Sequence, residues 1–513
     1  MIFLYLYKMG CLGSNGMPLN EAKNIDNAAK KNSPKKNELS VIKKITDNNL
    51  VTNNNTIKEK NVTKENEKKC EKENQIDDIK SIKEKLHQNK ESNNIKDNSE
   101  KKEEDTVYKK QEIEVVKAED ITRINLVYFM RFKDYHQLLG EQFIEINWDN
   151  IELIVNSKKA ELDRYYKLNE GENFVTLIVK KKLTDLSNMF NNCSTLKNIS
   201  GLEHLDVSQS KNFEGMFNNC ELLSDIKALE NWNVSNGTNF KNMFSQCSSL
   251  IDIKALRDWN VSNGENFEGM FNNCKLLLDI KPLENWDVFN GINFKGIFSG
   301  CKSLSDIKVL ENWNVSNCES FSGMFSGCLL LSNIKVLERW DVSKCNDFTG
   351  TFCGCKSLSD IKALEKWNVS KGESFLYMFK DCSSLSDLKP LQNWNVSNSK
   401  NFANMFDGCS SLSDIKPLQN WNVSKGECFI GMFYGCSSLS DIKPLQNWNV
   451  SNGKNFANMF RFCSSLSDIK PLQNWNVSKG ECFYFMFTGC SSLSDISQIR
   501  NWKIDEHHFT NIK

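Results

Sequence analysis

The sequence is poor in the residues that most often carry chemistry. Five histidines stand among 513 residues, at 87, 136, 204, 507 and 508, so a serine or cysteine nucleophile has no evident base. Zinc sites of the Cys/His kind need ligands close in sequence, and the chain lacks that spacing. It also lacks G-x-S-x-G, H-E-x-x-H and a phosphate-binding glycine loop. These absences argue against an enzyme and assign no metal or cofactor. Net charge is missing as well: 65 Lys and Arg offset 65 Asp and Glu, so no bias toward nucleic acid is expected. No apolar run approaches the roughly 20 residues of a membrane-spanning helix. Met1 to Tyr7 is apolar but too short for a signal-peptide core. No aromatic residue occurs between Tyr7 and Tyr108, and 20–117 is rich in Lys, Asn, Glu, Asp and Ser. Such a segment buries too little apolar surface to offset its ordering entropy and reads as a disordered linker.

Cysteine is plentiful. Of 19, twelve fall at 193, 220, 247, 274, 301, 328, 355, 382, 409, 436, 463 and 490, always 27 residues apart. Tryptophans keep the same step from Trp232 to Trp502. A fixed period of this size predicts stacked coils rather than a compact globule. In the copy Cys436 to Phe462 the apolar positions are Leu439, Ile442, Leu445, Trp448, Val450, Phe456, Met459 and Phe460. That spacing is neither 2 nor 3.6. It predicts a short strand within Leu439–Leu445, shortened by Pro444, a bend, and one helical or 3-10 turn at Asn455–Cys463. One such copy cannot bury both its faces alone, so stacking must do it. Trp421, Phe433, Cys436, Trp448, Phe460 and Cys463 are the expected structural core of the repeat.

Four regions follow: an N-terminal segment 1–19, the linker 20–117, a small α+β module 118–183, and the repeats 184–513. In the module, Ile124–Phe132, Ile151–Val155 and Phe174–Val179 read as strands, Asn156 to Lys159 as a hairpin turn, and Leu138–Ile146 as a short helix. Its expected role is to cap the apolar end of the stack. The first coil is degenerate, with Leu205 at the tryptophan position and Leu186 at that of Phe213. After Trp502 the chain offers Lys503, Asp505, Glu506, His507 and His508, charges that blunt edge-to-edge association. Asn401–Phe406 matches Asn455–Phe460, and Lys425–Phe429 matches Lys479–Phe483, so the later coils look duplicated in pairs.

Four features are candidates for function. Gly10 and Cys11, in Met-Gly-Cys-Leu-Gly-Ser, fit an acylation motif if initiation is at Met9; the other reading is an incidental match. Two acyl chains would anchor the chain peripherally to a membrane. Asp and Lys recur two residues apart, as in Asp414 and Lys416, Asp441 and Lys443, and Asp468 and Lys470. These rows are either a solvated, mutually neutralising face or an interaction face for a protein partner. Asn-Val-Ser triplets at 233, 260, 314, 368, 395, 422, 449 and 476 fit the glycosylation pattern. The alternative is an Asn that caps the bend after Trp, a role the Asp at 287 and 341 could share. The cysteine ladder reads as small buried thiols, with pairing an option on export. Off the ladder, Cys318, Cys345, Cys428 and Cys482 are expected to be exposed thiols.

The motif L-S-D-I-K-P-L-x-x-W-N-V-S-x-G-x-x-F-x-x-M-F-x-x-C-x-S resembles the repeats of BspA-like leucine-rich-repeat surface proteins. It is most similar to the branch of unknown function in mycoplasma lipoproteins and microbial eukaryotes, over about residues 183–502. Leu139–Phe143 and Ile151–Leu162 resemble what precedes such arrays in protist proteins. The resemblance implies an α/β solenoid, a leucine-rich-repeat-like stack of about twelve coils, each a short strand and a short helical turn. It also implies protein-binding, adhesion or cell-surface roles, and supplies no catalytic residue. The expectation is a non-enzymatic, monomeric repeat protein that binds an unidentified protein partner and no nucleic acid. Its place is the cytoplasm or the cytoplasmic face of a membrane, or alternatively the cell surface as an adhesin or antigen.

Overall fold

The computed structural model describes residues 121–502. The acylation motif with Gly10 and Cys11, the linker 20–117 and the charged run after Trp502 lie outside the described residues.

The first part is a sheet with one helix. Strands β1 (Thr122–Met130), β3 (Ile151–Val155), β4 (Lys158–Ala160), β6 (Gly171–Val179) and β7 (Leu196–Asn198) form a five-stranded sheet in the order β4-β3-β6-β1-β7. Each neighbouring pair is antiparallel. β2 (Asp134–His136) and β5 (Tyr166–Leu168) form a separate two-stranded sheet, and α1 spans Glu141–Asn147. Alternation places the faces: Ile124, Leu126, Tyr128 and Met130 are buried, as are Val175, Leu177 and Val179 opposite them. The turn at Asn156 and Ser157 puts both residues in the left-handed region, at φ 46° and 66°. The sheet meets the first repeat through β7, which pairs with β1 at Val127 and Tyr128. Gly140 donates its N–H to the Met189 carbonyl at 2.9 Å. A Cβ at Gly140 would lie 1.8 Å from the Asn188 carbonyl oxygen, so only glycine permits this approach.

From Asp185 onward, regular repeats follow every 27 residues. One parallel backbone bridge joins each to the next, through Asp185, Asn212, Asn239 and so on to Cys482. The order of elements within a repeat corrects the expectation from sequence. The stretch expected to hold a strand holds a 3-10 turn instead, Lys443–Leu445 in the copy above. Leu445 N–H donates to Ile442 O and Gln446 N–H to Lys443 O, both at 3.0 Å. Pro444 fits because its fixed φ suits the first helical turn, where an N–H is not needed.

The inter-repeat bonds run through the stretch expected to be helical. Phe456, Asn458, Phe460 and Phe462 donate N–H groups to Cys482, Tyr484, Met486 and Thr488 of the next repeat at 2.8–2.9 Å. Between these, Met459 N–H turns back to Phe456 O at 3.2 Å and Arg461 N–H to Asn458 O at 3.0 Å. The stretch is no helix because two residues per repeat are left-handed, here Asn458 at φ 58° and Phe462 at φ 60°. Alternating the backbone hand aims every second N–H along the repeat axis.

The core is made of equivalent side chains lying on one another. Phe456 and Phe483 stack with ring centroids 5.2 Å apart, and Phe460 and Phe487 at 5.7 Å. Offset stacking at such distances is favourable beyond the area buried. Leu205 and Leu186, the stand-ins of the first repeat, are buried at the same positions.

Candidate functional site

Each repeat divides into columns that face inward and columns that face water, and the inward ones are consumed by the fold. Trp421 and Trp448 stack at 6.5 Å, Phe433 and Phe460 at 5.7 Å. Each indole reaches back to a carbonyl of the preceding repeat: Trp421 Nε1 to Leu391 O and Trp448 Nε1 to Leu418 O, both 2.9 Å. Cys436 Sγ donates to Phe406 O at 3.2 Å, and Cys463 Sγ to Phe433 O at 3.0 Å. Burial pushes these thiols up, to about 12 at Cys247 and Cys301. The sequence offered no sign of this thiol-to-carbonyl bond.

The off-ladder cysteines correct the expectation of exposure. Of the four named from the sequence, Cys318, Cys345 and Cys428 are buried and Cys482 is half-buried. Cys318 Sγ donates to Ser320 O at 3.3 Å and Cys345 Sγ to Asp347 O at 3.5 Å. They tuck under the bend just before the bridge position, a corner that the linear pattern does not display.

The Asp and Lys rows face water, but the aspartates are tied to their own backbone. Asp414, Asp441 and Asp468 each accept, through Oδ1, the N–H of Lys416, Lys443 and Lys470 at 2.7–2.8 Å. The bond starts the 3-10 turn. Asn333 does the same for Lys335 at 3.0 Å, so the position needs an oxygen rather than a charge. Lys254 pairs with Asp252 at 2.6 Å; no other Asp and Lys of these rows form an ion pair among the described residues. The Asn of Asn-Val-Ser plays a like part: Asn449 Oδ1 accepts Ser451 N–H at 3.1 Å, and Asp341 Oδ1 accepts Ser343 N–H at 3.0 Å.

A third pair of columns forms a polar groove, which the sequence reading did not single out. One stretch, of about 730 Å³, runs from Lys211 past Glu265 and Ile292 to Lys344. A second, of about 550 Å³, shares Glu319 and Lys344 and continues through Lys371, Glu373 and Lys400 to Lys425. Its walls are knit across repeats: Lys425 Nζ donates to Asn398 Oδ1 at 2.7 Å, and Asn398 Nδ2 to Ser370 O at 2.8 Å. Unlike the Asp and Lys rows, these columns differ between copies, with Asn398 against Lys425 and Lys400 against Glu427. That internal variation was the available signal. Among the described residues no group of three His, Cys, Asp or Glu could hold a metal ion, and no helix is long and apolar enough to cross a membrane.

No curated protein and no solved structure matches the chain. One family model matches five times, over residues 184–308, 247–335, 293–416, 330–443 and 412–512. These overlapping matches cover more than half of the chain and fall on the 27-residue repeats. The chain therefore belongs to the repeat family described as "Mycoplasma protein of unknown function, DUF285".

Proposed function

We propose that the chain is a non-enzymatic repeat protein presenting an extended surface to a protein partner. In this reading the repeats form a leucine-rich-repeat-like solenoid of the BspA-like kind. The module at 118–183 caps one end, as terminal units of such arrays must. The observation that carries the reading is the groove from Lys211 to Lys425, which crosses many repeats and whose lining combines Lys, Glu and Asn side chains. An extended groove with spaced Lys, Glu and Asn side chains suits a peptide strand or a protein edge, whose polar groups recur at a similar spacing. The working state is a monomer that binds no nucleic acid, tethered to a membrane face where Gly10 and Cys11 are acylated.

The test is cross-linking and co-purification with the full chain against the combined variant Lys344→Glu, Lys371→Glu and Lys400→Glu. A specific partner should be captured by the parent and lost from the variant. Capture of the same partner by both chains would refute the groove as the binding face. Mass spectrometry of the mature N-terminus tests the tether: an unmodified peptide starting at Met1 would remove it.

A second reading has its own support. The Asn of each Asn-Val-Ser triplet is exposed, with Asn449 and Asn476 as examples, and only its oxygen is engaged in the turn. The amide nitrogen that would carry a glycan faces water. This favours an exported adhesin or surface antigen, and glycan mapping with surface labelling distinguishes the two. Unoccupied triplets in a chain shielded from the label would exclude export.

A further inference from the structure

The later repeats allow a comparison internal to the chain. Asn401–Ile442 and Asn455–Ile496 are aligned copies, two repeats apart. They differ at five positions: Asp407 against Arg461, Gly408 against Phe462, Ile430 against Tyr484, Gly431 against Phe485, and Tyr434 against Thr488. Every other residue is the same. Substitutions scattered by drift would fall across the exposed columns, including the invariant Ser-Asp-Ile-Lys segment. Here they all fall on one edge of the repeats.

On that edge the new side chains meet. The Arg461 guanidinium lies 4.9 Å from the ring centre of Phe462, 5.2 Å from that of Phe485 and 6.0 Å from that of Tyr434. Tyr434 and Phe462 pack edge to face at 5.5 Å. Phe462 and Phe485 remain 40% exposed, well outside the core.

The cluster works against the fold that carries it. Phe462 and Phe485 sit at φ 60° and 59°, where Gly408 and Gly431 stand in the sister copy. The left-handed region is costly for a bulky L-residue and nearly free for glycine. Among the described residues, Arg461 Nε is buried without an acceptor, and the one hydrogen bond of its guanidinium is to neutral Asn458 Oδ1 at 3.3 Å. No ion pair among the described residues engages Arg461. Backbone strain, an unpaired donor and exposed aromatic rings gathered in one place mark a surface selected for something other than stability. Arg and aromatic residues are also the types that dominate binding energy at protein interfaces.

We infer that Arg461, Phe462, Phe485 and Tyr434 form the anchoring patch for an acidic protein segment. In it an Asp or Glu carboxylate pairs with the Arg461 guanidinium while an adjacent apolar side chain lies on Phe462 and Phe485. A lone cation held between rings and lacking its own carboxylate leaves that charge to be supplied by the partner. This deepens the proposed protein-binding role and rests on it, but places the strongest contact outside the groove.

The sister copy supplies the control. A reverted chain carries Tyr434→Lys, Arg461→Asp, Phe462→Gly, Tyr484→Ile, Phe485→Gly and Thr488→Tyr, each residue already accepted at the equivalent place; Tyr434→Lys is included because Lys380 pairs with the sister carboxylate, Asp407. It should melt at the same or a higher temperature than the parent, since two strained positions become glycine. A random 12-residue peptide library displayed on phage is selected on both full chains. The parent should enrich peptides with Asp or Glu next to Phe, Leu or Trp. A synthetic version should bind the parent at least tenfold more tightly than the reverted chain, and Arg461→Glu alone should reproduce most of that loss. Peptides that bind both chains equally and are lost on reversing the groove lysines would overturn the patch while leaving the protein-binding reading intact. No enrichment on either chain would overturn both. Enrichment only after the peptides are phosphorylated would overturn the carboxylate assignment.

Discussion

A single exposed oxygen recurs through the repeats with one purpose. Asp441 Oδ1 holds the Lys443 N–H at 2.7 Å and starts the 3-10 turn; Asn333 does it without a charge. Asp441→Asn should therefore change stability by less than about 0.5 kcal/mol. Asp441→Ala leaves the N–H unpaired and should cost about 1 kcal/mol. Lys443→Ala should behave like Asp441→Asn. Guanidinium unfolding of the three variants checks the ordering, and equal losses for all three would restore the salt-bridged reading of these rows.

The thiols are a second residue-scale case. Burial raises them well above the ordinary cysteine range, to about 12 at Cys345, so they stay protonated and inert at pH 8. Native alkylation with iodoacetamide followed by mass spectrometry should modify Cys353 and Cys482 first among the described cysteines, since these alone are half-buried. The buried set should react only on unfolding. Burial of the ladder was legible from its place beside Met-Phe. Burial of Cys318, Cys345 and Cys428 was not, because a residue just outside the periodic pattern can still turn under the chain.

At the scale of one repeat, the working parts are the 3-10 turn, the bend after Trp and the run of alternating turns. Trp448 joins them: its ring stacks on Trp421 and its Nε1 binds Leu418 O across the repeat boundary. Trp448→Phe keeps a ring but removes one of the two donors to Leu418 O, which retains the Trp421 N–H at 3.1 Å, and leaves a small void. It should cost about 2–4 kcal/mol. Hydrogen exchange should show the loss concentrated in the repeats around Trp448, because each repeat contacts chiefly its neighbours. A loss spread evenly over 184–502 would contradict that locality.

The repeat is also where sequence reasoning misplaced an element. The apolar spacing of Leu439, Ile442 and Leu445 matches buried positions equally well in an extended chain and in a tight turn. Pro444, which the pattern reads as a limit on a strand, stands instead inside the 3-10 turn that Lys443 begins. In the Asn455–Cys463 stretch the deciding feature is the hand of Asn458 and Phe462, which aims the backbone N–H groups at the next repeat. Side-chain periodicity carries no trace of it except where glycine marks the same columns, as at Gly431 and Gly435.

At the scale of the molecule, order depends on register rather than on any one repeat. Deleting residues 366–419, two whole repeats, joins Glu365 to Asn420 and restores the Leu-Glu-Asn-Trp order found at Leu283–Trp286. That chain should stay soluble and unfold cooperatively, with circular dichroism of the parent's form. Deleting 366–406 instead sets Asp407 where Lys366 stood, puts Gly408 in the Trp column and puts Lys416 and Asn420 in the Phe columns; it should not fold. A folded out-of-register chain would mean that the repeats hold together without matched neighbours.

The sequence by itself determined the period, the buried positions of the repeat and three longer strands of the leading module, because burial writes itself into apolar spacing that survives every copy. It also offered, as one of two readings, that Asn and Asp at the bend after Trp serve the backbone; that the Asp of the Asp and Lys rows does so came from the structure. Only the tertiary structure decided where the inter-repeat hydrogen bonds run, which columns enclose a groove, and that Arg461, Phe462 and Phe485 meet. Those depend on backbone hand and on contacts between residues about one repeat apart, and neither can be read from a residue's immediate neighbours.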